Sequence, residues 1–169
     1  MYVRFGYVAM SVHWPNLSPS RTMTFTRFSA LADRPAAVRK LERIARGNLE
    51  STLRLLRHNL SEGIRVYRLS SRLVPLMTHE ALADWDAFAP LADDFAAIGE
   101  FVREHGMRVS FHPDHFTVLG TPREEVLDKS IADLDRHAAM FELMGLDERY
   151  KCNIHIGGTY GDKGKTLER

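Results

Sequence analysis

The sequence has a single cysteine, Cys152, among its 169 residues, so no internal disulfide framework holds it together. It also has no apolar run of transmembrane length and no signal-peptide pattern. A lone thiol in a chain without such segments is typical of a protein of the reducing cytoplasm. We therefore expect a cytoplasmic protein that has no membrane partner.

The sequence also has little net charge, only +1 with histidine neutral. Such a balance gives no global basic field of the kind that draws a protein to nucleic acid. A hydrophobic fraction of 44% and a charged fraction of 27% suit one soluble folded domain, which we assign to residues 1–169. Composition leaves the function open, and the order of the residues must decide it.

Short apolar segments alternate with amphipathic segments along the chain. The predicted strands are residues 2–9, 64–70, 107–111 and 151–156. Apolar residues three or four positions apart predict helices over residues 36–60, 85–105 and 122–146. A glycine follows or closes each predicted helix, as a C-terminal cap would. Residues 10–35 show no clear period and are predicted to form an ordered loop.

The alternation of strand and helix predicts an α/β fold built from parallel βαβ units, because each crossover returns the chain to the same end of the sheet. In such folds the loops after the carboxyl ends of the strands form the active edge. Side chains at the strand ends should therefore lie along one rim. These side chains are Tyr7, Ser70, Ser71, His112 and His155.

Two of these strand ends carry histidine, in "FHPDHF" for His112 and in "NIHIGG" for His155. A lone histidine there is more often a hydrogen-bonded structural residue than a ligand. Neighbouring parallel strands lie about 4.8 Å apart, so two imidazoles at matching heights reach one ion at about 2.1 Å each. His115, three residues after His112, is left as a third ligand, a base contact or a solvated side chain.

The segment "GGTYGDKGK", residues 157–165, has the composition of a loop that cradles a phosphate. Its glycines allow close backbone approach, and Lys163 and Lys165 supply positive charge. It lacks the spacing of either glycine-rich nucleotide fingerprint. A solvated turn that opens a helix is the alternative interpretation.

Several blocks together resemble the UV damage endonuclease family. They are "RFGYV" at residues 4–8, "NL" at 48–49, "YRLSSRLVPLMTH" at 67–79, "FHPDHF" at 111–116 and "NIHIGGTYGDKGK" at 153–165. They occur in the order of the family and span nearly the whole chain. The resemblance implies a metal-dependent TIM barrel that nicks the DNA backbone immediately 5′ to ultraviolet photoproducts in double-stranded DNA.

The resemblance also implies a metal site and catalytic residues. His112 and His155 match histidines that hold one metal of a cluster of divalent ions, for which Mn²⁺ is expected. His79 matches a family histidine close to the cluster. Lys163 matches a basic stretch where contact with a phosphate is expected, so we assign His79 and Lys163 as catalytic.

The resemblance also implies residues that contact the DNA. The family places a tyrosine after the glycine of the first strand, here Tyr7, and a glutamine–aromatic pair after the His-Pro motif. Here that pair is His115 and Phe116, which changes an amide to an imidazole and keeps an aromatic wedge. Lys165 is assigned to the DNA backbone with these three.

The length departs from the family pattern. A (β/α)₈ barrel usually needs about 250 residues, so we expect only its first four strands here, the amino-terminal portion without its carboxyl-terminal half. A half barrel leaves open sheet edges, which predicts self-association. Two alternatives stay open: a catalytically inactive half barrel that only binds metal or DNA, and a sugar isomerase or epimerase-like barrel. The last two blocks favour the nuclease over the isomerase.

Overall fold

The computed structural model describes residues 3–168, and its central feature is one parallel sheet. The strands lie side by side in chain order, and every neighbouring pair is parallel. They are β1 (Gly6–Val8), β2 (Val66–Arg68), β3 (Arg108–Phe111) and β4 (Lys151–Cys152). The predicted α/β fold with a parallel sheet is thereby confirmed. The predicted first strand is longer, and its first residue, Tyr2, lies outside the described residues.

Helices connect the strands. They are α1 (Phe25–Ser29), α2 (Arg34–Ser61), α3 (Ala92–Glu104), α4 (Glu124–Leu143) and α5 (Lys163–Glu168). The short helix α1 falls inside the segment predicted as a loop, and the side chain of Thr24 caps it by accepting a hydrogen bond from the Arg27 amide. Asp33 caps α2 in the same way through the Ala36 amide. Within residues 3–168, no helix is both long and apolar enough to cross a bilayer.

Besides the start of the first strand, two predicted boundaries were wrong by four residues or more. The helix expected from residue 85 begins only at Ala92, because Pro90 lies in a 3₁₀ turn over Ala89–Leu91 and proline disfavours helical geometry in the residue before it. The strand expected over residues 151–156 is continuous only through Lys151–Cys152. His155 pairs separately, in an isolated parallel bridge to Val118.

The core lies between one face of the sheet and the helices. Tyr67, Val109 and Phe111 are almost completely buried on that face. Because side chains alternate along a strand, Arg68 and Arg108 lie on the opposite face, which no helix of the described chain covers. Cys152 packs on the core side, where burial above all, together with the nearby Asp133 carboxylate, raises the pKa of its thiol to about 11. This thiol is therefore protonated at neutral pH.

Candidate metal and DNA-binding rim

The carboxyl ends of β3 and β4 bring two histidines together. The ring centroids of His112 and His155 are 4.7 Å apart, with 32° between the ring planes. His112 is half-buried and its Nδ1 lies 2.5 Å from the backbone oxygen of Asn153. A carbonyl oxygen only accepts, so Nδ1 carries the hydrogen and the neutral ring keeps its lone pair on Nε2. Histidine binds a metal ion through such a nitrogen lone pair of its neutral ring.

The two histidines fit one side of a metal site. Metal-bound histidines commonly donate their second ring N–H to a carbonyl or carboxylate, as His112 does to Asn153. Among residues 3–168, however, no three or more His, Cys, Asp or Glu side chains are grouped so that they hold a metal ion. The pair therefore supplies two ligands, and a complete site needs others.

A tight turn stands beside the histidine pair. The amide of Thr117 donates to the carbonyl of Asp114 at 2.9 Å and places His115 and Phe116 at the two central positions. We call residues 114–117 the probe turn. The side chain of Phe116 is 62% exposed, and the ring of His115 contacts it edge-on at 5.7 Å between centroids. The turn therefore presents an aromatic ring and an imidazole to solvent at the rim.

His79 lies on the loop after β2, where it caps the 3₁₀ turn Glu80–Leu82. Its Nδ1 accepts a hydrogen bond from the Ala81 amide at 3.2 Å, and its ring stacks on Phe25 with centroids 3.9 Å apart. The neutral ring therefore carries its hydrogen on Nε2, the reverse of His112. His79 and Phe116 both line a cavity of about 1030 Å³. Its Nε2–H makes His79 a hydrogen-bond donor at the cavity that Phe116 also lines.

Tyr7 does not lie with the histidine pair. Its hydroxyl donates to Oδ1 of Asn59 on α2 at 2.6 Å, and its ring packs edge-on against Tyr67 at 5.3 Å between centroids. The register explains this, because Tyr7 pairs with Tyr67, whose ring is buried against the helices. Burial is the main cause that raises the pKa of Tyr7. A DNA contact by Tyr7 stays a prediction, and it requires the hydroxyl to leave Asn59.

Lys163 and Lys165 lie in α5, and both are exposed. The ammonium group of Lys165 is 4.0 Å from the Asp162 carboxylate, and the Lys165 amide donates to that same carboxylate at 3.1 Å. Lys163 makes no ion pair within residues 3–168. The preceding loop turns through left-handed backbone at Gly157 (φ 98°) and Gly161 (φ 84°). The local geometry is that of a turn that opens a helix, and phosphate contact by the lysines stays a prediction.

Sequence reasoning gave no role to Asn48, which fixes two loops of the rim. Its completely buried amide exchanges hydrogen bonds with the backbone of Arg21 at 2.9 Å in both directions and donates to the carbonyl of Leu73 at 3.0 Å. The loop before α1 and the loop after β2 are thus tied to α2. The signal that could have identified Asn48 is its place as a polar residue within the apolar stripe of α2, because a buried amide needs hydrogen-bond partners.

The architecture alone defines a class of protein. Four parallel strands in chain order, helices on one face and side chains gathered at the carboxyl edge are the first half of a TIM barrel. A solved structure, described as the crystal structure of SacUVDE, superimposes with a TM-score of 0.85 at 28% identity over 99% of this chain and 54% of that one. The predicted TIM-barrel fold is confirmed.

The chain belongs to the family described as UV-endonuclease UvdE, whose model matches residues 3–169. A UV DNA damage endonuclease of Halalkalibacterium halodurans is 47% identical over 158 residues, 94% of this chain and 49% of that protein. One from Bacillus pumilus is 40% identical over 169 residues, all of this chain and 52% of that protein. The family resemblance is confirmed, and the chain spans about half the length of the curated relatives it matches.

Proposed function

We propose that this protein is the amino-terminal part of a DNA repair endonuclease that nicks the backbone 5′ to ultraviolet photoproducts by metal-assisted hydrolysis. The observation that carries the proposal is the side-by-side placement of His112 and His155 next to the exposed probe turn. One rim thereby combines ligands for a divalent ion with an aromatic side chain able to enter a base stack.

The metal in this proposal is a divalent ion, Mn²⁺, held by Nε2 of His112 and by His155. When bound, it would supply a water of lowered pKa and stabilise charge on the attacking and leaving oxygens. The hydrogen bond from His112 to Asn153 sets the tautomer of that ring and its orientation. The remaining ligands must come from the part of the barrel that the chain does not span.

The phosphate contacts are assigned to His79, Lys163 and Lys165. Because Nδ1 of His79 accepts a backbone hydrogen bond, its Nε2–H is free to donate to a phosphate oxygen. The two lysines, both exposed, would neutralise the DNA backbone. Individual donors at the carboxyl edge of the sheet, rather than a global basic field, would account for DNA binding by a chain with a net charge of +1. A cytoplasmic location agrees with this role and stays a prediction.

The probe turn is assigned to recognition of the damaged double-stranded DNA. A photodimer weakens stacking and lowers the cost of moving its bases out of the duplex. Phe116 has the exposure to fill the weakened stack, and His115 beside it offers a planar polar edge. We assign Tyr7 a later contact, because its ring must first leave Tyr67 and Asn59.

Replacing Phe116 with alanine is expected to lower the affinity for a duplex carrying one cyclobutane thymine dimer about tenfold, since stacking on one aromatic ring contributes about 1–3 kcal/mol. Affinity for the undamaged duplex should change little. Fluorescence anisotropy with both duplexes measures this. The matched control is Phe5→Ala, because Phe5 immediately precedes β1, at the end of the sheet opposite the probe turn, and is 83% exposed. Equal losses from Phe5→Ala and Phe116→Ala would contradict the assignment.

The activity test uses the same damaged duplex, end-labelled, with Mn²⁺ and the protein. A nick immediately 5′ to the dimer, absent from the undamaged duplex, supports the proposal. Damage-selective binding without a nick supports the second candidate, a half barrel that only binds metal or DNA. That candidate is favoured by one observation, the absence of a third metal ligand grouped with the histidines in residues 3–168. Turnover of a sugar would support the isomerase alternative instead.

We further propose that the protein self-associates through the open edges of its sheet. Val8 on β1 is 51% exposed and Ile156 beyond β4 is 78% exposed. Arg68 and Arg108 disfavour a dimer that stacks sheet face on sheet face, because equal charges would meet. We expect a dimer by sedimentation, weakened by Val8→Lys but not by the control Ile131→Lys on α4. A monomer at all concentrations would contradict this.

A further inference from the structure

The probe turn is fixed at its base by side chains of α4. The hydroxyl of Thr117 donates to Oδ2 of Asp133 at 2.7 Å, and the amide of Val118 donates to Oγ of Ser130 at 3.0 Å. Thr117 is only 2% exposed, and the side chain of Asp133 is 17% exposed. The bond from Thr117 is therefore partly buried, and the bond from Val118 is buried. A hydrogen bond to a carboxylate in such surroundings is among the stronger ones in a protein.

The acceptors are themselves fixed. The hydroxyl of Ser130 donates to the carbonyl of Val126 at 2.7 Å, which orients its lone pairs toward Val118. His137, one helical turn after Asp133, donates from Nδ1 to the carbonyl of Asp133 at 2.8 Å. The ring of His137 is buried and packs edge-on against Phe111 at 5.1 Å between centroids. The segment of α4 that holds the turn is thus packed against β3.

The other connections of the probe turn lead to the histidine pair. His112 and Pro113 immediately precede the turn, and Val118 immediately follows it. Val118 pairs with His155 in a parallel bridge. The turn therefore lies between the backbones of the two candidate metal ligands. The turn is thus connected to His112 through Pro113 and to His155 through the bridge from Val118.

We propose that Thr117 and Asp133 are positioning residues that hold Phe116 at a fixed distance from the His112–His155 pair. The inference rests on the proposed function, which gives that fixed distance a purpose. Phe116 must contact the lesion while the two histidines lie at the phosphate to be cut. Misplacement by about 1 Å far from the chemistry costs an enzyme about a hundredfold. A two-residue turn carrying an exposed aromatic ring needs such support to stay in register.

The first test replaces Thr117 with valine, which removes the hydroxyl and keeps the branched shape. The readout is the ratio of affinities for the dimer-containing and undamaged duplexes. We expect Thr117→Val to lower this ratio about tenfold, as for loss of a buried hydrogen bond to a charged group. Thr117→Ser, which keeps the hydroxyl, should restore it. A ratio that valine leaves unchanged, or that serine fails to restore, would overturn the proposal.

A double-mutant cycle separates positioning from general stability. If Thr117 acts through the ring of Phe116, Thr117→Val should not lower the ratio further in a Phe116→Ala background. Additive effects of the two substitutions would show that Thr117 acts elsewhere. Ser130→Ala is the second variant, since it removes the acceptor for the Val118 amide. It should reproduce the loss if Thr117→Val does not fold.

A measurement without DNA keeps the outcome independent of the proposed function. Amide hydrogen exchange at Thr117 and Val118, whose amides donate to Asp114 and Ser130, should accelerate about tenfold in Thr117→Val, because the lost bond holds the turn closed. Exchange within α2 should stay at the wild-type rate. Unchanged exchange at the turn overturns the positioning role. If exchange is faster in Thr117→Val but Phe116→Ala keeps full damage selectivity, the proposed function is overturned. The positioning role of Thr117 then stands.

Discussion

Replacing His112 with alanine is expected to weaken Mn²⁺ binding by at least about a hundredfold, and His155→Ala should do the same. Loss of a residue that merely supports a metal ligand costs about 10–100-fold, and these residues are proposed as the ligands themselves. The rings lie 4.7 Å apart, so removing either leaves one imidazole for the ion. Titration of Mn²⁺ followed by electron paramagnetic resonance of the free ion measures the change.

The matched control is His105→Ala. His105 follows α3 and precedes β3, so it lies at the opposite end of the sheet from the histidine pair. Its removal should leave Mn²⁺ affinity unchanged. The double variant His112→Ala with His155→Ala should lose less binding free energy than the sum of the two single losses, because both residues act on one site. Wild-type affinity in both single variants would refute the metal assignment.

The sequence was enough to predict that His112 and His155 converge, because three regularities of parallel sheets determine it. Successive βαβ units order the strands, crossovers align their carboxyl ends, and alternation fixes which residues share a face. The observed register pairs Phe111 with Cys152, so His112 directly follows the last paired residue of β3 and falls on the face opposite the core. His155 lies beyond the end of β4 and reaches His112 from a separate parallel bridge to Val118.

The orientation of Tyr7 required the register between strands. Position in the sequence placed Tyr7 near a strand end, but alternation leaves two faces to choose from. Pairing with Tyr67 selects the face packed on the helices, and Asn59 of α2 accepts the hydroxyl. Asn59 lies 52 residues along the chain, so no local pattern reveals the contact.

The hydrogen bonds that support the probe turn could not be predicted from local sequence patterns either. Thr117 and Asp133 are 16 residues apart, one in a loop and the other inside a predicted amphipathic helix. An aspartate there is normally interpreted as part of a solvated helix face. Asp133 is partly buried because the loop after β3 folds back across α4, which is a tertiary contact. The same holds for the cavity that joins His79 to Phe116.

A large loss of stability is expected from Gly99→Ala. Gly99 lies on the buried side of α3, where an added Cβ would be 1.6 Å from the backbone oxygen of Met144 at the end of α4. Backbone cannot yield as a flexible side chain does, so the helices must separate. The guanidinium of Arg103, which donates to the carbonyls of Met144 and Gly145, would lose its geometry as well. We expect a loss of about 3 kcal/mol or more, measured by urea unfolding.

The control is the same substitution in another helix. Gly47 lies within α2, and the nearest atom to an added Cβ is the Arg21 guanidinium at 4.0 Å. Alanine there should stabilise the protein by about 0.5–1 kcal/mol, since glycine inside a helix costs that much in chain entropy. Opposite signs for Gly99→Ala and Gly47→Ala follow only if α3 and α4 contact through the missing side chain. A stabilising Gly99→Ala would show that the two helices pack farther apart, and the Asp133 segment of α4 would then sit differently beneath the probe turn.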